Sequence, residues 1–148
     1  MKNADPFRYT EYCLYSYPRN VDVYDCLKIE LELIYLRGDV RTQSYEIHSH
    51  STGYSNPVEK YVQVIDKIEN KLRRLERKII PVREKHQELR DNQKDEQQTM
   101  QLIIMEQYYF EHIPAMQIQR DYEMARGTFI KSRNELVKSL MSGLLKDK

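Results

Sequence analysis

Residues 102–140, LIIMEQYYFEHIPAMQIQRDYEMARGTFIKSRNELVKSL, decide the fold. Their spacing predicts three helices separated by two short breaks. In the first, Leu102, Met105 and Tyr109 fall on one face, and Ile103 and Phe110 widen the stripe. His112 to Pro114 ends it. Proline fixes φ and lacks an N–H, so Pro114 suits the opening of a second helix whose Ala115, Ile118 and Tyr122 again share one side. Glu123 and Met124 form a turn, and a third helix starts at about Arg126, burying Phe129, Leu136 and Leu140 at i, i+7 and i+11. This leaves Arg126, Gly127, Thr128, Ile130, Lys131 and Asn134 on or near its opposite face: the pattern of a helix-turn-helix.

That face carries groups suited to duplex DNA. Arg126 in the first turn offers two parallel N–H donors to a guanine edge, Asn134 matches adenine, and Ile130 matches a thymine methyl. Lys131, Arg133 and Lys138 are expected to hold phosphates, which position a protein without reading sequence. Free N–H groups at the helix start, unobstructed at Gly127, also suit a phosphate. From residue 125 to 148 there are six Lys or Arg against two Asp or Glu, a local +4 in a chain of net charge +1. The same periodicity is compatible with a plain three-helix bundle with a solvated basic face; the turn spacing and the charge step favour DNA.

The run Ile118-Gln119 through Met124-Ala125-Arg126-Gly127-Thr128-Phe129 resembles the helix-turn-helix of the promoter-reading C-terminal domain of sigma factors. Glu106-Gln107-Tyr108-Tyr109-Phe110 is similar to the "YYF" helix of RinA/ArpU-type phage late-gene transcription activators, and Leu14, Tyr17 and Pro18 fall where those proteins carry an "L..YP" motif. The resemblance covers most of the chain. It implies a helical N-terminal part, a middle helix, a sigma-like C-terminal domain, and activation of phage or prophage late genes. Three positions depart from the pattern: Gln119 stands where a small residue is usual, Glu123 where glycine is preferred, and Ala125 where Ser or Thr would cap the recognition helix.

Working outward, composition sets bounds. Charged residues make up 32% and hydrophobic ones 40% of 148, which with a mean hydropathy of -0.80 points to a charge-rich helical protein with a thin core. No apolar run approaches the roughly 20 residues of a membrane span, and no signal-peptide core stands at the start, so a cytoplasmic location is expected, which the resemblance implies to be that of a bacterial host cell. Cys13 and Cys26 lack metal-ligand spacing and are expected to be reduced core residues.

At the start of the chain, Asp5-Pro6 is a helix start, and the tyrosine-rich helix after it, with Tyr9, Tyr12, Tyr15 and Tyr17, is expected to stop at Pro18. Only Arg8 and Arg19 accompany these rings, so they read as packing groups and not as a base-stacking platform. A second helix over 21–36 buries Tyr24, Leu27, Leu31, Ile34 and Tyr35, with Gly38 placed to end it. Residues 39–55 lack periodicity and read as a loop; its His48 and His50 have no matching third ligand, so no metal site is expected.

Asn56-Pro57-Val58-Glu59 opens the most regular element, a long helix over 56–94. Val58, Tyr61, Ile65, Ile68, Leu72, Leu75, Ile79 and Val82, continued by His86 and Leu89, repeat as a heptad seam, with Pro81 expected to kink it. Residues 90–98 are polar and form the joint, with Asp95 and Gln98 a second capping box. At the far end Gly143 is expected to fray the last helix.

The fold expected is all-α: an N-terminal helical and coiled-coil region over 1–98, consisting of a helical hairpin, the loop 39–55 and the long helix, then a C-terminal helix-turn-helix domain over 99–148. The seam must be covered by the hairpin or by a second copy. A homodimer presenting two reading heads to adjacent half-sites is the expectation. No phosphate-cradling glycine loop, nucleophile and base pair or metal set is legible, so neither enzymatic activity nor a cofactor is expected. The function expected is a sequence-specific DNA-binding regulator whose partners are double-stranded DNA and RNA polymerase, the latter met by the acidic surface of Glu106, Glu111, Asp121 and Glu123. The alternative is a coiled-coil adaptor or antirepressor that binds protein and not DNA.

Overall fold

The computed structural model describes residues 5–48 and 57–145, and side chains over 5–37 and 58–145. All elements among the described residues are helical: α1 (Pro6–Tyr15), α2 (Tyr17–His48), α3 (Pro57–Asp91), α4 (Glu96–Ile103), a π-helical segment (Ile104–Phe110), α5 (Ala115–Asp121) and α6 (Arg126–Leu145). The chain divides into two compact units. One joins Met1–Asn20 to Arg77–Lys148, and the other is Val21–Glu76.

The start of α1 follows from its sequence. Pro6 occupies the first turn, where no N–H is required, and Asp5 Oδ1 accepts from the Phe7 N–H at 3.0 Å. One residue, Ser16, separates α1 from α2. Pro18 is the cause: inside a continuous helix its ring would meet the carbonyl of Leu14, whereas in the first turn of a new helix it is tolerated. Ser16 closes both ends at once. Its N–H and its hydroxyl donate to the Tyr12 carbonyl at 2.9 and 2.6 Å, while its own carbonyl accepts from Asn20 N–H at 2.8 Å.

The Val21–Glu76 unit is an antiparallel pairing of α2 with α3. Tyr24 donates to Glu76 Oε1 at 2.7 Å and Tyr35 to Glu69 Oε1 at 3.1 Å, so the partner number falls as α2 advances. Ile65, Ile68 and Leu72 of the seam are buried, and Leu27, Leu31 and Ile34 are half-buried. Most of the heptad seam of α3 is therefore covered within one chain, while Val58 at its start is 51% exposed. Two expectations change. The helix does not stop at Gly38: α2 continues to His48, so residues 39–48 of the expected loop are helical, and the rest of it lies outside the described residues. A glycine inside a helix costs only about 1 kcal/mol, which does not end a long helix laid along a neighbour. The hairpin is thus formed by α2 and α3, not by the first two helices. The His48 and His50 side chains and the Asn56 cap also lie outside what is described.

The other unit gathers both ends of the chain. Its core holds Cys13 and Leu14 of α1, Val82 and Leu89 of α3, Leu102, Ile104, Met105 and Tyr109, then Ile118, Met124, Phe129, Leu136, Val137, Leu140 and Leu144. The boundary expected after Gln98 is not where the compact units divide. α1 packs on α6 and on the π-helical segment, with Leu14 fully buried, so the C-terminal helices share their core with α1 and the second half of α3. Cys13 is buried as expected, but Cys26 is exposed. α3 runs through Pro81 as one helix, ending at Asp91. Gly143 does not fray α6: it lies inside the helix against Pro81, where an added Cβ would stand 3.6 Å from Pro81 Cβ.

Candidate nucleic-acid interface

The C-terminal group of helices starts at α4. Asp95 caps it, its Oδ1 accepting from Gln98 N–H at 2.8 Å, and Gln98 returns the bond to the Lys94 N–H at 3.1 Å, one residue before the reciprocal position of a capping box. Sequence periodicity places one helix from here to residue 110; the structure changes its pitch at Ile104. The π-helical turn admits an extra residue, so Ile104, Met105 and Tyr109 are all buried where a regular helix would turn one aside. Tyr108 then meets Phe129 of α6 edge-on, centroids 5.3 Å apart.

The break after Phe110 is held from outside. His112 has a φ of 59°, a left-handed conformation that histidine rarely adopts. Its ring stacks on Tyr15 at 3.7 Å with planes 14° apart, and Nε2 lies 3.1 Å from the Tyr15 carbonyl oxygen. Pro114 follows as the cap of α5, its carbonyl accepting from Gln117 and Ile118 N–H at 3.1 and 3.2 Å.

The turn into α6 is tight. Tyr122 and Glu123 N–H donate back to Ile118 and Arg120 carbonyls at 3.1 and 3.3 Å, and Met124 N–H to Gln119 at 2.8 Å. Glu123 has a φ of 50°, the left-handed geometry for which glycine is preferred. Met124 turns inward at 7% exposure and Ile118 is fully buried, which seats α5 against α6. Tyr122, expected on the buried side, is instead 44% exposed, its hydroxyl accepting from the Gln107 side-chain amide.

α6 sorts its residues sharply. Phe129, Ser132, Leu136, Val137, Leu140 and Leu144 face the core; Ser132 and Val137 were not among the residues expected there. Arg126, Gly127, Thr128, Ile130, Lys131 and Lys138 are exposed. Gly127, Lys131, Asn134 and Lys138 share one line at i, i+4, i+7 and i+11, so the two lysines stand about 10 Å apart along the axis. A Cβ added at Gly127 would meet nothing within 4 Å, so internal packing does not call for glycine there. The helix start is correspondingly bare.

Arg133 and Asn134 differ from the rest. Both are half-buried, and Arg133 Nη2 donates to Asn134 Oδ1 at 3.3 Å. The Arg133 Nε is sequestered from solvent without a hydrogen-bond acceptor. Near it, Tyr109 donates to Glu11 Oε2 at 2.8 Å, and burial first, then the Glu11 carboxylate, raise the Tyr109 pKa far above that of a free tyrosine, a shift that Arg133 opposes. Of the acidic residues, Glu111, Asp121 and Glu123 are exposed, while Glu106 is half-buried with its carboxylate 3.4 Å from His86 Nε2. That nitrogen is buried and makes no hydrogen bond of good geometry, so the contact is electrostatic if His86 is charged.

Sequence reasoning passed over α5 as a source of contacts, although Gln117 and Arg120 are exposed on it and Arg120 is the basic residue of its last turn. Among the described residues no three His, Cys, Asp or Glu side chains are grouped to hold a metal, and no helix is long and apolar enough to cross a membrane. Family models, curated proteins and solved structures offer no match to this chain.

Proposed function

We propose that this chain is a sequence-specific DNA-binding transcription regulator, an activator of phage or prophage late genes of the RinA/ArpU type. The observation that carries the reading is the pairing of α5 with α6 around a left-handed Glu123, with Arg126, Gly127, Thr128, Ile130, Lys131 and Lys138 exposed along one helix. In this reading α6 enters the major groove. Arg126 and Ile130, one turn apart, meet base edges, and Lys131 and Lys138 sit on phosphates at either end. Thr128 and the bare N–H groups beside Gly127 meet the backbone where the groove is entered. Arg133 supports the helix from behind, and Asn134 contributes to base reading only if its amide oxygen leaves Arg133. Activation then requires contact with RNA polymerase, for which Glu111, Asp121 and Glu123 form the exposed acidic surface.

The test is fluorescence anisotropy on a labelled duplex taken from upstream of the host element's late genes, titrated against salt. Wild type is expected to bind with an affinity that falls by about 0.9 log units per log unit of salt for each phosphate held. Arg126→Ala/Lys131→Ala is expected to lose binding. If neither protein binds at low salt, the chain works instead as a coiled-coil adaptor or antirepressor, and the exposed row on α6 is a solvated helix face.

A further inference from the structure

α2 has two apolar faces. At 100° per residue, Leu27, Leu31 and Ile34 fall within about 60° of one another and turn toward α3, which accounts for their partial burial. Ile29, Leu33 and Leu36 fall within a second arc of about 60°, on the opposite side. They are 58%, 44% and 72% exposed. Exposed Cys26 borders this stripe, one turn before Ile29. A helix in a two-helix pairing needs one apolar face, and a continuous second stripe at i, i+4 and i+7 is the anchor spacing with which helices engage one another. Scattered single leucines would require no explanation; three aligned over two turns do.

The rim of the stripe identifies what covers it. Asp22 in line with it and Asp25, Glu30 and Glu32 beside it are exposed, against one cation, Arg37, among the described side chains. Lys28 is turned away, its Nζ held 5.4 Å from the centre of the Tyr24 ring. A second copy laid on this face would set four carboxylates against four. Nor can the outer side of α3 from a second copy fill it, because Gln63, Lys67, Asn70 and Arg74 there are polar and exposed. We propose that the outer face of α2 docks an amphipathic helix of another protein, whose apolar stripe meets Ile29, Leu33 and Leu36 and whose lysine or arginine flanks meet the acidic rim. Opposite charges around an apolar centre steer encounter and set the choice of partner.

Two synthetic helical peptides of about 18 residues test this, both with leucine at alternating third and fourth positions, one flanked by lysine and one by glutamate. Their anisotropy is followed on the full-length protein, together with the alkylation rate of Cys26, since Cys13 is fully buried and does not compete. The lysine-flanked peptide is expected to bind at least about tenfold more tightly than the glutamate-flanked one at low salt, and to slow alkylation. Ile29→Glu/Leu33→Glu, at exposed positions that the fold does not need, is expected to abolish that binding with helicity and DNA affinity unchanged. Glu30→Lys/Glu32→Lys is expected to reverse the preference. The proposal is overturned if the two peptides bind alike or not at all. A native chain that is already a dimer, split by Leu33→Glu, overturns it too, because a second copy would then be the occupant. The unchanged DNA affinity keeps this outcome separate from the fate of the DNA-binding reading.

Discussion

The Tyr109 hydroxyl donates to the Glu11 carboxylate at 2.8 Å, tying the π-helical segment to a helix 98 positions earlier. Tyr109 is 2% exposed, and its raised pKa has a consequence for stability. An unfolded tyrosine releases its proton near pH 10, while the folded one holds it well above that. Between those values the unfolded state binds fewer protons, so stability is fully present below about pH 10 and falls as pH rises further. Tyr9, raised to about 12 by burial and by its neighbour Cys13, acts in the same direction. Urea unfolding from about pH 8 to about pH 11 should show this decline, made shallower by Tyr109→Phe, which also costs about 1 kcal/mol at neutral pH through the lost hydrogen bond. Equal slopes for the two proteins would reject the assignment.

Leu14→Ala tests where the core of the C-terminal helices ends. Leu14 is fully buried in the core that α6 closes, so its truncation should cost about 2–5 kcal/mol and lower the unfolding midpoint of the C-terminal helices themselves. A fragment holding only residues 99–148 should lack a cooperative transition. If that fragment melts sharply and Leu14→Ala leaves the C-terminal helices intact, α1 is an accessory and not part of the core.

These two cases mark what was legible. The breaks at Pro114 and Glu123 are local events, carried by a fixed φ and a tight turn, and the inward set Phe129, Leu136 and Leu140 follows from periodicity alone. The place of α1 is non-local: its apolar stripe shows that it packs, but not on which helix. The change of pitch at Ile104 was visible only as a stripe too wide for one face, because a π-turn shifts the phase by one residue and leaves composition unaltered. Gly38 misled for the opposite reason, since a local breaker signal was outweighed by the continuation of α2. On α6, spacing separated the faces but not the half-buried flank where Arg133 and Asn134 stand.

Glycine is missing where the backbone calls for it and present where it does not. Glu123→Gly places glycine at a φ of 50° and should stabilise the protein by about 1 kcal/mol. Gly143→Ala adds a methyl in ordinary contact with Pro81 at 3.6 Å and should gain up to about 1 kcal/mol of helix propensity. The sites are far apart in sequence and share no partner, so the gains should add in a double-mutant denaturation series. A loss at Gly143 would mean that α6 and α3 pack more closely at Pro81 than a 3.6 Å contact allows.

His112 bears a left-handed backbone for the sake of its ring. His112→Ala keeps the strain and forfeits the stack on Tyr15, so a loss of about 1–2 kcal/mol is expected. His112→Gly forfeits the same stack but relieves the backbone, so its loss should be smaller. Thermal unfolding that ranks glycine below alanine would show that the backbone is not strained at residue 112, and an alanine variant as stable as wild type would show that the ring is not what fixes the break.

Arg133 and Lys131 separate the two ways a basic residue on α6 can act. Lys131 is exposed, so Lys131→Ala should leave unfolding unchanged within about 0.5 kcal/mol and reduce the DNA salt slope by about 0.9. Arg133 has a sequestered Nε and touches Asn134, so Arg133→Ala should lower stability through lost packing of its buried stem. It should also let the Tyr109 pKa rise further, since the guanidinium now opposes that rise. A salt slope that drops by the same amount in both variants would place Arg133 on a phosphate after all. A slope that drops only for Lys131→Ala would place the edge of the proposed DNA footprint between two residues that stand about 160° apart on one helix.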